Sequence, residues 1–261
     1  MVKGLDVFRE HFAGNAGSFV LIGGVATQLW FENAGIPARA TKDIDMVFRI
    51  EAADEAFMRR VWDFVRAGKY AVKQRSDGRR ELFRFANPTE SAYPFMLEIF
   101  AGTPAALEVP GDQKIVPVPA GNDVSSLSAI LVDENYYELI TTNSRVVDGL
   151  PIATPGCLIL LKARAWLDLS SRKAGGERID SKNIKKHRDD VFKLSQLLAV
   201  SSTFETQERV WEDLGEFLDQ FPPDSKAWDA VANSAASCGL DLPPAIDVLA
   251  LLRGHFVVQT G

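Results

Sequence analysis

Phe19-Val-Leu-Ile-Gly-Gly-Val-Ala-Thr-Gln-Leu-Trp30, followed by Arg39-Ala-Thr-Lys-Asp-Ile-Asp-Met-Val-Phe48, reads as an apolar strand, a Gly-Gly turn, a helix, a loop and a second strand. The second strand carries carboxylates at alternate positions, Asp43 and Asp45. Side chains at i and i+2 of a strand share a face, so the two acids stand side by side with Cα atoms roughly 7 Å apart. Ile-Asp-Met-Val-Phe is otherwise a buried-looking strand, and burying negative charge is costly unless positive charge meets it. A divalent cation is the economical solution. Hard cations such as Mg²⁺ or Mn²⁺ take one or two carboxylates and complete their shell with water and substrate phosphates. Gly23 and Gly24 let backbone approach a ligand closely, and the helix after them offers free N–H groups to a phosphate. Each feature alone also suits a structural turn or a surface strand. In this order, with Arg39 and Thr41 just before the acids, they point to a metal–phosphate site.

A chain of 261 residues with 46% hydrophobic side chains has enough material for one large domain or two small ones. No apolar run reaches the length of a transmembrane helix, and the charged, amphipathic N-terminal segment lacks the apolar core of a signal peptide. Cys157 and Cys238 are the only cysteines, which makes neither a disulfide framework nor a zinc site. A cytoplasmic protein is expected. A net charge of −6 argues against a generic nucleic-acid coat. Basic residues are nevertheless clustered. Arg172 to Arg188 holds seven against two acids, and Lys69, Lys73, Arg75, Arg79, Arg80 and Arg84 form a second group. These are either solvated faces or the sides of a track for triphosphate or RNA.

Along the chain, residues 3–13 predict a short helix, and residues 51–67 a strongly amphipathic one with Ala56, Phe57, Val61, Phe64 and Val65 inward. Tyr70–Gln74 and Glu81–Phe85 alternate around Ser-Asp-Gly and predict a hairpin. Pro94–Phe100 is an apolar strand whose one charge is Glu98; placed beside the Asp43 strand, Glu98 would join the two aspartates, with Glu81 as the rival third acid. Short β-like runs at Ile115–Pro117, Ile130–Val132, Glu138–Ile140 and Arg145–Leu150 extend the sheet. From Gly156 the chain turns helical. The Cys157 helix is apolar nearly all round, so Lys162 within it either snorkels outward or meets an anion. The next helix, residues 181–199, sets His187 and Asp190 on one face. Three amphipathic helices, broken at Pro222-Pro223 and Pro243-Pro244, complete the chain and carry Trp211, Leu214, Phe217 and Leu218 among their apolar residues.

Gly-Gly followed by Arg-x-Thr-x-Asp-Ile-Asp resembles the DNA polymerase β-type nucleotidyltransferase superfamily, and most of all its AbiEii-like branch, the toxins of abortive-infection and toxin–antitoxin systems. The resemblance covers roughly residues 15 to 200. That branch has a helical lysine and then Arg-Asp-Leu-x-Asp-Leu-x-x-Leu. Lys162 matches the first, and Lys186, Asp190, Val191 and Leu194 match positions of the second. His187 replaces the first aspartate of that pattern, and no arginine stands at the family's spacing after Lys162 unless Arg172 serves.

The resemblance implies an α+β fold: a mixed-sheet nucleotidyltransferase core with flanking helices over residues 1–153, then a helical domain over 154–261 that closes on the nucleotide. It implies transfer of a nucleoside monophosphate from an NTP to a hydroxyl. Asp43, Asp45 and Glu98 would hold Mg²⁺ or Mn²⁺; Glu98 would alternatively act as base. Gly23, Gly24, Thr41, Lys42, Lys162 and His187 would bind the nucleotide or acceptor, and Asp190 would orient Lys162 or bind base or ribose. An RNA acceptor such as a tRNA end and a cognate antitoxin would follow. A small-molecule nucleotidyltransferase and an inactive nucleotide-binding module remain the alternatives. A dinucleotide-dependent oxidoreductase does not, because Gly-Gly-Val-Ala-Thr-Gln lacks the G-x-G-x-x-G spacing.

Overall fold

The computed structural model describes residues 2–39, 41–52, 54–76, 81–101, 116–117 and 133–259. The chain divides into two compact units. One comprises the described residues of Met1–Leu29, Ala40–Val124 and Ile140–Ala153; the other comprises those of Trp30–Arg39, Ser125–Leu139 and Thr154–Gly261. The fold class is α+β, with a mixed sheet and flanking helices.

The first unit holds the sheet. Its strands are β1 (Phe19–Ile22), β2 (Asp43–Phe48), β3 (Ala71–Ser76), β4 (Glu81–Ala86), β5 (Met96–Ala101), β6 (Val116–Pro117), β7 (Ser144–Val147) and β8 (Leu150–Ala153), in the order β6-β3-β4-β5-β2-β1-β8-β7. β1 runs antiparallel to β2, β2 parallel to β5, and β5 antiparallel to β4. Registers Phe19↔Phe48, Ile44↔Leu97 and Leu97↔Phe85 put an apolar row on one face. Registers Ile22↔Asp45, Asp45↔Glu98 and Glu98↔Arg84 put a charged row on the other.

Helices α1 (Leu5–His11) and α3 (Glu55–Gly68) cover the apolar face. Phe8 lies edge-on to Phe19 at 5.8 Å and to Phe64 at 5.6 Å, and Phe48 edge-on to Phe57 at 5.1 Å. Each such ring contributes about 1.5–3 kcal/mol by leaving water, so this layer anchors the strands whose other face bears the acids. The helix expected from residue 51 is a 3₁₀ turn at Ile50–Ala52 and then α3. Asp54 sets the start, its carboxylate accepting from Phe57 N–H at 2.8 Å. Ala56 therefore falls in the first turn and is exposed rather than inward.

Two other expectations are corrected. Gly23-Gly24 is no separate turn: β1 runs straight into α2 (Gly23–Asn33), the change of direction being absorbed at Gly23 with φ +65°. Glu138–Ile140 is not a strand but part of α4 (Glu134–Thr142), started by the Asp133 carboxylate accepting from Asn135 N–H at 2.9 Å. The run Arg145–Leu150 is β-like as expected: Arg145–Val147 lies in β7 and Leu150 opens β8, with Asp148 and Gly149 turning between them. Ile130–Val132 lies outside the described residues.

The second unit is mostly helical: α5 (Pro155–Ala174), α6 (Ser181–Leu194), α7 (Glu208–Asp219), α8 (Ala227–Ala236) and α9 (Ala245–His255). Thr154 caps α5 and Pro155 opens it, and the helix is buried nearly all round. α6 ends at Leu194, not at residue 199, where Ser195 Oγ donates to Phe192 C=O at 2.7 Å and the chain tightens into a 3₁₀ turn. Phe192, Phe217, Phe221 and Trp166 meet edge-on or tilted at its core. A short parallel pair, β9 (Phe204–Thr206) and β10 (Phe256–Val258), was not foreseen from sequence. Trp211 stands outward on α7, 43% exposed, its indole N–H donating to Phe256 C=O at 3.2 Å.

Candidate functional site

In the first unit, Asp43 and Asp45 share a face of β2, and Glu98 is the register partner of Asp45 on parallel β5. Neighbouring strands lie about 4.8 Å apart, so the side-by-side placement of the three acids follows from backbone pairing. Asp45 and Glu98 are buried, at 8% and 3% exposure, and Asp43 is partly exposed. The register Ile22↔Asp45 brings the end of β1, and thus Gly23, against the Asp45 side chain. A Cβ at Gly23 would lie 2.0 Å from Asp45 Oδ2, and one at Gly24 2.7 Å from Thr41 Oγ1. Both glycines are therefore required by close approach, and the Asp45 carboxylate sits at the positive end of α2.

The loop before β2 is tied to the same helix. Gln28, buried on α2, accepts at Oε1 from Thr41 N–H at 3.2 Å, and Lys42 C=O accepts from Phe95 N–H at 3.2 Å while its side chain is exposed. Gln28 was not singled out from sequence. The available signal was one long polar side chain within an apolar helix turn.

Glu98 carries its own counter-charge. Arg84, its neighbour on β4, reaches Oε1 with Nε at 2.6 Å and Nη2 at 2.5 Å. Among the described residues, no three His, Cys, Asp or Glu side chains are gathered to hold a metal. The donor chemistry that fits a hard cation is the Asp43–Asp45 pair, with phosphate oxygens completing the shell. Glu81 pairs through its backbone with Ala101, and its side chain lies outside the described residues. Lys73, Arg75, Arg79 and Arg80 likewise have side chains outside them. Lys69 of the same basic group is bound to Glu90 at 2.5 Å.

The second unit gathers the remaining candidates. Lys162 Nζ donates to Asp190 Oδ2 at 2.7 Å, joining α5 to α6, with side-chain exposures of 5% and 13%. Burial pushes the Asp190 carboxyl up, but Lys162, with help from Arg39 and Lys186, outweighs it and holds the group below the ordinary carboxylate range. The anion that Lys162 meets within the protein is thus Asp190. His187 lies beside this pair. Burial, reinforced by the cations Lys162, Lys186 and Arg39, lowers its pKa to about 3 against a weaker opposing pull from Asp190. The imidazole is neutral, and its Nδ1 is buried with no hydrogen-bond partner among the described residues. Arg39 is exposed at the end of the loop before Thr41.

Within the basic segment, Arg172 binds Asp168 at 3.3 Å and Glu177 at 2.7 Å, and Arg188 binds Asp189 at 2.7 Å. Arg178, Lys182 and Lys185 are exposed. Among the described residues, no helix is long and apolar enough to cross a membrane.

No family model matches the chain, and no curated protein matches it either. Among solved structures, the chain is similar to an antigenic nucleotidyltransferase-like protein from Paracoccidioides brasiliensis, at 13% identity and a TM-score of 0.42 over 86% of this chain and 89% of that one. It is also similar to MenT4, a nucleotidyltransferase toxin from Mycobacterium tuberculosis, at 16% identity and a TM-score of 0.27 over 96% of this chain and 81% of that one. At these scores neither likeness says what this chain does.

Proposed function

We propose that this chain is a metal-dependent nucleotidyltransferase that moves a nucleoside monophosphate from an NTP to a hydroxyl, with RNA as the acceptor and a toxin-like role held in check by an antitoxin. The observation that carries the reading is the Asp43–Asp45 pair on one sheet face, with Asp45 packed against Gly23 at the start of a helix. The pair supplies hard oxygens, and the missing Cβ of Gly23 leaves room for them. Mg²⁺ or Mn²⁺, when bound, would draw charge from the transferred phosphate.

The protein's own residues have separable tasks in this reading. Asp43 and Asp45 hold the cation, and Gly23 and Gly24 let the α2 N-terminus take phosphate oxygens. Thr41 and the exposed Lys42 contact phosphate or acceptor. Lys162 contributes positive charge from a buried position, where it acts more strongly than in water, and Asp190 fixes its direction. His187, neutral, accepts or donates one hydrogen bond to base or ribose. The acceptor hydroxyl gives up its proton to solvent as its oxygen bonds to the α-phosphorus, the α–β phosphoanhydride breaks, and pyrophosphate leaves with the bond's electrons. Exposed Arg178, Lys182 and Lys185 are the side chains of the basic segment open to an RNA backbone.

The test is incubation with each NTP radiolabelled at the α-phosphate, Mg²⁺ and total tRNA, beside Asp43→Ala and Asp45→Ala. Label on RNA from the native protein alone is expected and identifies the nucleotide. Mg²⁺-dependent NTP binding without transfer would move the acceptor to a small molecule. Neither binding nor transfer would overturn the reading and leave an inactive module.

A further inference from the structure

The Arg84–Glu98 pair bears on how many acids serve the cation. Asp45, Glu98 and Arg84 form one row across β2, β5 and β4, in direct register. Arg84 directs two nitrogens to a single oxygen of Glu98, and the side chains are 14% and 4% exposed, so the pair is shielded from water. A guanidinium fork converging on one oxygen at this range holds the carboxylate firmly through Oε1. A cation drawing on Glu98 would have to displace that fork or sit close to its positive charge.

We propose, resting on the cation reading above, that Arg84 withdraws Glu98 from the cation site. The site is then built on Asp43 and Asp45 alone, and Arg84 is a positioning residue that sets the number of ligands. With Arg84 in place, three carboxylates and one guanidinium carry a formal charge of −2, which one divalent ion neutralises. Without it, Glu98 is a buried carboxylate with no guanidinium, one strand away from Asp45, and turns to the cation. This differs from a purely structural ion pair, which would leave cation binding alone.

The experiment is a Mn²⁺ titration of the full chain, following the free ion by electron paramagnetic resonance, with unfolding measured in parallel. Asp45→Asn should weaken binding at least about tenfold, and Glu98→Gln should weaken it less, through the uncompensated Arg84 charge it leaves beside the aspartates rather than through a lost ligand. Arg84→Gln should tighten it by about tenfold, and the double variant Arg84→Gln/Glu98→Gln, which retains a neutral hydrogen-bonded pair, should return it to the native value. Loss of binding in Arg84→Gln/Glu98→Gln comparable to that in Asp45→Asn would overturn the proposal while leaving the cation reading intact. An Arg84→Gln variant that is less stable but unaltered in Mn²⁺ affinity would overturn it too. Absence of Mn²⁺ binding by the native protein, or binding indifferent to Asp45→Asn, would overturn both.

Discussion

His187 is held neutral where an exposed histidine would titrate near pH 6.5. Its folded pKa of about 3 means that, as pH falls below about 6.5, the unfolded chain takes up a proton that the folded chain refuses. Stability therefore declines with falling pH across that window, by up to about 1.4 kcal/mol per pH unit from this one residue. His255, also lowered by burial, acts in the same direction. Asp190 adds a loss only at lower pH, because its carboxyl is depressed and its pairing with Lys162 fails as pH falls through that folded value. Urea unfolding between about pH 7 and 4 should show the decline, and His187→Gln should flatten it. An unchanged slope in that variant would mean that the ring is charged in the folded protein. That His187 and Asp190 share a helix face was legible in the sequence, whereas the neutrality of His187 rests first on burial and then on three cations, two of them distant in sequence.

At the scale of elements, local chemistry decided most boundaries. β1 and β2 match the residues predicted for them, because a run such as Phe-Val-Leu-Ile has few other ways to be buried. The hairpin of β3 and β4 was announced by alternation around Ser-Asp-Gly. Two elements differ from the pattern of their apolar residues because a side-chain cap intervenes. Asp133 turned Glu138-Leu-Ile into helix, and Asp54 moved the start of α3. Replacing Asp54 with Ala should cost about 0.5–2 kcal/mol in chemical denaturation, since one first-turn N–H loses its acceptor. Asp54→Asn should retain most of that stability, and equal losses in both variants would assign the effect to charge at the helix end instead. The pair of β9 and β10 was illegible, because three-residue strands about fifty positions apart leave no periodic trace.

At the scale of the molecule, the chain passes between its two units at 29/30, between residues 39 and 41, between 117 and 133, at 139/140 and at 153/154. A single cut after residue 153 would strand pieces of the helical unit in the N-terminal fragment. Tyr136 is one such piece: fully buried, it donates its hydroxyl to Asp213 Oδ2 at 2.8 Å, and burial together with that carboxylate raises its pKa. Fragments 1–153 and 154–261 made separately should give poorly dispersed amide spectra, and co-expression should restore dispersion. A well-dispersed 154–261 fragment would show that Tyr136 and its neighbours are dispensable. The sequence by itself determined that two aspartates share a strand face beside a Gly-Gly helix entry, and that a lysine lies in a buried helix. Those facts follow from periods of two and of 3.6 residues, which are local. Only the tertiary structure decided that Gly23 must lack a Cβ because Asp45 lies against it, that Lys162 meets Asp190, and that Glu98 is already held by Arg84. Each of these depends on strand order or helix packing, and the energy that sets them comes from long-range burial.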